Sequence, residues 1–362
     1  MLNVLFATPG FARIPSPGEI YRTNRLGLQG RCDLARTIPV RSLLRALAMV
    51  FLLLAATAQA QEEYRLDLGE RLKDAVLGSD GKLWLFTTAN YNPTSDVVVG
   101  NDGRFWFGTP NGVSVVDLDH HQTNLAIGRT VTSVAAAPYG GVWFARTNAN
   151  IGYVDNSGGT TERLAPTATP YDLAVATDGT VWLTQLFAAN VIYHIQALGG
   201  VTPLQLPVRC YGGRIAAAPD GTVWITSPES SSAVRISAFG DVLELIKLPK
   251  DIIWTERPLL TADGSLWLGQ RNGVVRIVNG VAMRYGLSTP TYCIDSFYLY
   301  VPRAQEPDGS LWISRELVAS ITPDPAHNCA TEPSTAEAQT VVMRVSPETL
   351  VADPQVRRRA AR

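Results

Sequence analysis

The stretch DGTVWIT, residues 220–226, recurs in variant form six more times along the chain. The copies are DGKLWLF from Asp80, DGRFWFG from Asp102, YGGVWFA from Tyr139, DGTVWLT from Asp178, DGSLWLG from Asp263 and DGSLWIS from Asp308. Seven of the eight tryptophans stand at one position of this unit. Such a repeat decides the architecture before any single residue is weighed. Asp-Gly reads as a tight two-residue hairpin turn, with Gly supplying the positive φ. The residues after it alternate around the Trp as a strand packed between two sheets does. Before it lie further strand-like stretches: LKDAVLGS, TSVAAAP, YDLAVAT and GRIAAAP.

Spacing supplies the rest. The repeat tryptophans are Trp84, Trp106, Trp143, Trp182, Trp224, Trp267 and Trp312, at intervals of 22, 37, 39, 42, 43 and 45. A period of about 40–45 residues without helical pattern is that of a four-stranded propeller blade. Two more strands follow the hairpin in a full unit, SAVRISAFG and DVLELIKLP after Trp224, NVIYHIQALG and VTPLQLP after Trp182. An open β-solenoid has shorter coils and needs no four strands per unit. The expected fold is therefore all-β, a single propeller of four-stranded blades around a central channel. Seven blades are expected, with six as the alternative. The 22-residue first interval leaves room for no more than the loop TTANYNPT, so the first blade is either reduced to its hairpin or completes another. Closure is expected from EYRLDL, residues 63–68, pairing into the last blade.

Residues 1–39 carry no periodic pattern and read as a non-native or disordered extension, with translation starting near Val40. Next comes a secretory signal peptide, residues 40–60, with Arg41 and Arg45, an apolar run and Ala58-Gln59-Ala60 before the cut. The run, residues 46–58, is too short for a lone transmembrane helix. No Cys follows it directly to carry a lipid anchor. Residues 61–362 then form one propeller domain of about 43 residues per unit. The chain is 46% hydrophobic and 17% charged with a net charge of −1, an ordinary soluble composition. A basic run at residues 357–362 is no nucleic-acid surface. The expectation is a periplasmic or secreted monomer without membrane anchor. Cys293 precedes the inner strand of the last unit and Cys329 lies in its insertion, so a disulfide between them is expected, leaving Cys210 free. Three unpaired thiols are the alternative.

A mouth can be read from the repeat. Six positions before each turn residue stand Asp74, Asp96, Ser133, Asp172, Arg214, Arg257 and Pro302. Three positions after each Trp stand Thr87, Thr109, Arg146, Gln185, Ser227, Gln270 and Arg315. The candidate ligand-binding residues are Arg146, Asp172, Gln185, Arg214, Arg257, Gln270 and Arg315, joined by Trp254 outside the repeat. Arginine forks oriented by Gln and Asp suit a polar or anionic small molecule, or a protein partner. The alternative is a solvated rim whose charges pair with one another. The three carboxylates lie on the first, second and fourth units, which argues against one shared divalent ion. No cofactor is expected.

The sequence PDGTVWITSPESSSAVRIS, residues 219–237, and DGTVWLTQLFAANVIYHI, residues 178–195, resemble repeats of the virginiamycin B (streptogramin B) lyase family. DGRFWFGTPNGVSVVD, residues 102–117, is also similar to two-component regulator propeller repeats. The first resemblance implies elimination from a cyclic depsipeptide by a histidine base, with a carboxylate and bound Mg2+ at the mouth. It also implies a Glu three positions after some repeat tryptophans and a His ahead of some inner strands. Neither is present here, so the expectation is a binding propeller. The alternatives are a lyase with a rearranged site drawn from His327, Glu316 or Glu256, or a periplasmic sensor.

Overall fold

The computed structural model describes residues 62–66, 70–147, 150–167, 169–187, 190–196, 199–249, 256–287, 297–318, 340–350 and 352. Every repeat hairpin forms, and the reason is visible at its turn. Gly81 sits at φ 73°, donates its N–H to Gly78 O at 3.0 Å, and Gly78 N donates to Lys82 O at 2.8 Å. Three residues therefore turn the chain, with Gly alone in the left-handed region, in place of the two-residue turn expected. The Asp supplies the remaining acceptor. In the same way Lys82 N donates to Asp80, Thr222 N to Asp220 and Ser310 N to Asp308, at 3.1, 2.9 and 2.8 Å.

Five of these hairpins widen into four strands, each antiparallel to the last. The fifth unit, for example, runs Ile215–Ala217, Val223–Ser227, Ser232–Ile236 and Val242–Lys247. The first unit consists of two strands, Leu72–Leu77 and Leu83–Thr87. Its chain passes directly to Val98–Val99 through a turn with Tyr91 and Asn92 at positive φ. In the seventh, Phe297–Gln305, Leu311–Val318 and Val341–Val345 are completed by Glu62–Arg65. Arg65 pairs with Val341 and Glu63 with Met343, so the start of the propeller sequence locks into its end.

The tryptophans hold neighbouring units together. Trp182 packs with Ile215, Val223 and Ile225 of the next unit, Trp224 with Leu266 and Leu268, and Trp267 with Leu311 and Ile313. Trp312 closes the circle against Leu72, Leu83 and Leu85 of the first hairpin. Six of the seven repeat tryptophans are buried, and Trp143 is half-buried. Cross-strand partners cover several rings: Arg235 lies over Trp224 and Arg276 over Trp267, each also paired with its own turn Asp. The inner strands are thereby left to face one another around the axis.

Candidate functional site

The residues six before each turn converge where the inner strands begin. Three of them first act as staples between units. Asp74 accepts Val97 N from the second unit at 2.7 Å, and Asp172 accepts Ile215 N from the fifth at 3.0 Å. Ser133 does the same for the N–H of Leu173, at 3.2 Å. A side chain at this position thus satisfies a backbone donor of the next inner strand, which its neighbouring blade could not otherwise reach.

Three guanidinium groups fill the space between these staples. Arg257, from the sixth unit, donates through Nη2 to Asp172 at 2.9 Å, to Ser133 Oγ at 3.3 Å and to the carbonyls of Val134 and Leu173 at 3.2 and 3.4 Å. Its Nε lies 3.4 Å from Asp96 of the second unit. Arg214 stands 3.5 Å from Asp96 and stacks on the ring of Tyr171 at 5.1 Å. Arg303 donates to Glu256 at 2.8 Å and to Asp74 at 3.4 Å. Asp74, Asp96, Arg257 and Arg303 wall a cavity of about 110 Å³.

The charges set the protonation of the buried acids. Burial pushes the Asp74 carboxyl up to about 6, against Arg303 and with help from Asp96. Burial acts on Asp172 in the same sense, but Arg257 and Arg214 outweigh it and hold that carboxyl below the usual range. Asp172 is fully buried, so its charge persists because two cations face it.

Of the expected mouth residues, the fold brings Asp172, Arg214 and Arg257 together, with Asp74, Asp96 and Ser133. Pro302 is replaced by its neighbour. The ladder steps from Pro302–Ile313 to Ala304–Trp312, so Arg303 is the bulged residue, and its side chain joins the cluster. Arg146 instead pairs with Glu162 and the Ile127 carbonyl. Gln185 accepts from Thr167 Oγ1 at 2.5 Å and donates to Val191 O at 3.1 Å. Gln270 is completely buried, and Arg315 lies over the Tyr298 ring. These four form no ring with the channel cluster. Glu256 belongs to the cluster through Arg303, whereas Glu316 faces Arg71 at 3.6 Å. Trp254, His327, Cys293 and Cys329 lie outside the described residues. Cys210 is free and buried.

The three described histidines are engaged elsewhere. His120 stacks on Trp84 and shares a hydrogen bond with Tyr91, His194 stacks on Trp182, and His121 pairs with Asp117. None of them borders the 110 Å³ cavity. Asp117, Asp119 and His121 stand close enough to share an ion, but on an exposed turn where Asp117 already accepts two backbone N–H groups. The channel carboxylates do not fit Mg2+ either. Each of Asp74, Asp96 and Asp172 faces a guanidinium whose charge opposes a second cation, and among the described residues these carboxylates do not gather closely enough to share an ion.

A model of the virginiamycin B lyase family matches residues 87–292, more than half of the 362. The chain belongs to the virginiamycin B lyase family. Its fold is shared with a solved streptogramin B lyase, at 17% identity and a TM-score of 0.59, over 79% of this chain and 97% of that one. It is shared with the WD40 propeller domain of Doa1, at 13% identity and a TM-score of 0.52, over 80% and 96%. It is shared too with the extracellular domain of hybrid two-component system BT4673 from B. thetaiotaomicron, at 14% identity and a TM-score of 0.51, over 73% and 40%. A search of curated proteins gave no match. At such identities the solved structures speak for the fold. Among the described residues, no helix is long and apolar enough to cross a membrane.

Proposed function

We propose that this member of the virginiamycin B lyase family is an exported propeller that binds a polar small molecule or protein partner at the channel mouth without turning it over. The observation that carries the reading is the make-up of the 110 Å³ cavity, where Arg257 and Arg303 stand beside Asp74 and Asp96 with no histidine among the described residues of the wall. Paired cations and carboxylates offer a zwitterionic or hydrogen-bonding ligand matched donors and acceptors. Elimination needs a base within hydrogen-bond reach of an acidic C–H, and the described histidines are committed to Trp84, Asp117 and Trp182. The reading requires no metal. Export rests on the leader at residues 40–60, and the secreted protein is expected to start at Gln61 by intact-mass measurement.

The test is incubation of residues 61–362 with quinupristin, with and without Mg2+, monitored by calorimetry and by chromatography with fragmentation. Retention of the intact ring supports a binding propeller. Conversion to the linear isomer overturns it and favours a second reading, a lyase with a carboxylate base. One observation speaks for that second reading: the Asp74 carboxyl on the cavity wall, pushed up to about 6, is poised for proton transfer near neutrality.

A further inference from the structure

Beyond Arg257 lies a second, open cavity of about 210 Å³, whose side chains are apolar apart from Arg257. Its wall comes from the inner strands, through Val98, Ala135, Ala136, Ala174, Ala216 and Ala217. The cause is in the repeat. The stretches TSVAAAP, YDLAVAT and GRIAAAP put small residues on the inner strands of three successive units, where larger side chains would have filled the axis. Arg257 borders both cavities and is the one charged side chain on this wall among the described residues.

The wall of the second cavity includes residues further along the inner strands, toward the turns. Ser133 and Asp172 lie toward the start of their strands, whereas Ala136, Val175 and Ala217 lie near the Asp-Gly or Gly-Gly turns and are half-buried. The half-buried part of the wall therefore lies on the turn side. An enclosed apolar cavity of about 150 Å³ is enough to take up benzene; this one is larger but open, and its side chains other than Arg257 are all apolar, so by volume it has space for a six-carbon body. At its inner end Arg257 spends Nη2 on Asp172, Ser133 and two carbonyls and turns Nε to Asp96. Its Nη1 makes no hydrogen bond to any described residue.

We propose that this cavity is a binding site for a small monocarboxylic acid, entered from the turn face, with its apolar body against the alanines and its carboxylate on Arg257. Apolar burial supplies the affinity, and the guanidinium selects the charged head.

The test is a chain-length series of acetate, butyrate and hexanoate titrated into residues 61–362 by calorimetry. Each buried methylene is worth about a fourfold gain in affinity, so hexanoate is expected to bind roughly fifteenfold more tightly than butyrate. Hexanol, with the same body and no charge, is expected to bind at least tenfold more weakly than hexanoate. The double variant Ala136→Leu/Ala217→Leu fills the cavity and is expected to lose hexanoate binding at an unchanged melting temperature. An affinity flat along the acid series overturns the proposal. So does hexanol binding equal to hexanoate, which needs no variant to fold, or a folded leucine variant that still binds.

Discussion

Arg257 of the sixth unit and Asp172 of the fourth meet across the channel at 2.9 Å, one of them fully buried. The pair joins blades that share no strand ladder, and so ties the fourth unit to the sixth past the fifth. Removing one partner of such a pair strands the other charge in low dielectric. Arg257→Met is expected to lower unfolding free energy by about 3–5 kcal/mol, measured by chemical denaturation. Arg257→Lys keeps the charge without the fork and should fall between the two. Equal stability of Arg257→Met and the parent would show that Arg214 or water, not Arg257, balances Asp172.

The tryptophans are packing residues, and their burial ranks them. Trp182→Ala and Trp106→Ala empty fully buried sites and are expected to cost about 3–5 kcal/mol each. Trp143→Ala starts from a half-buried ring that bonds Tyr139 OH, and its loss should be smaller. Thermal unfolding of the three variants tests the order.

Closure depends on a short N-terminal strand. Leu66 is buried against the last and first units, and Tyr64 packs on Trp312 at 5.7 Å. Leu66→Ala is expected to cost about 2–5 kcal/mol. Deleting residues 61–66 should lower the melting temperature further, since Val341–Val345 then becomes a bare edge. A deletion variant that melts with the parent would rule out this closure.

Stability near neutrality should depend on Asp74. Its folded value of about 6 lies above the ordinary 3.8, so the folded state holds the proton more tightly between these limits. Stability from this group therefore rises as pH falls from 7 toward 4. His120 and His194 act oppositely, because burial lowers their values and the unfolded chain takes up protons first. The comparison of parent with Asp74→Asn cancels the histidines. The parent is expected to gain relative to the variant on going from pH 7 to 5, by up to about 1.4 kcal/mol per pH unit. A constant difference between the two across that range would mean that Asp74 is ionised throughout.

Cys210 is buried, and burial pushes its thiol up to about 12. Little thiolate exists at pH 8, so iodoacetamide is expected to label it slowly in the native state and rapidly after unfolding. Rapid native labelling, read by mass spectrometry, would show that its blade opens.

The architecture was legible because it is written in local rules repeated seven times. Asp-Gly sets each turn, alternation sets each strand, and one Trp per unit joins each blade to the next. Even the closing strand could be named in advance from the likeness of residues 63–68 to the outer strands, although the strand that pairs is Glu62–Arg65. The channel was legible in part for the same reason, as a fixed offset from the turn locates Asp74, Asp172, Arg214 and Arg257. What the tertiary structure decided is where local register fails or distant units meet. A bulge after Pro302 exchanges an inert ring for the charge of Arg303, and no pattern in the strand announces it. Arg146 and Gln185 share the offset of a mouth position, yet acceptors within their own blades, Glu162 and the Val191 carbonyl, draw their side chains aside. Arg257 reaches Asp172 because the inner strands of the fourth and sixth units converge on one axis, a closeness that 85 residues of chain separation conceal.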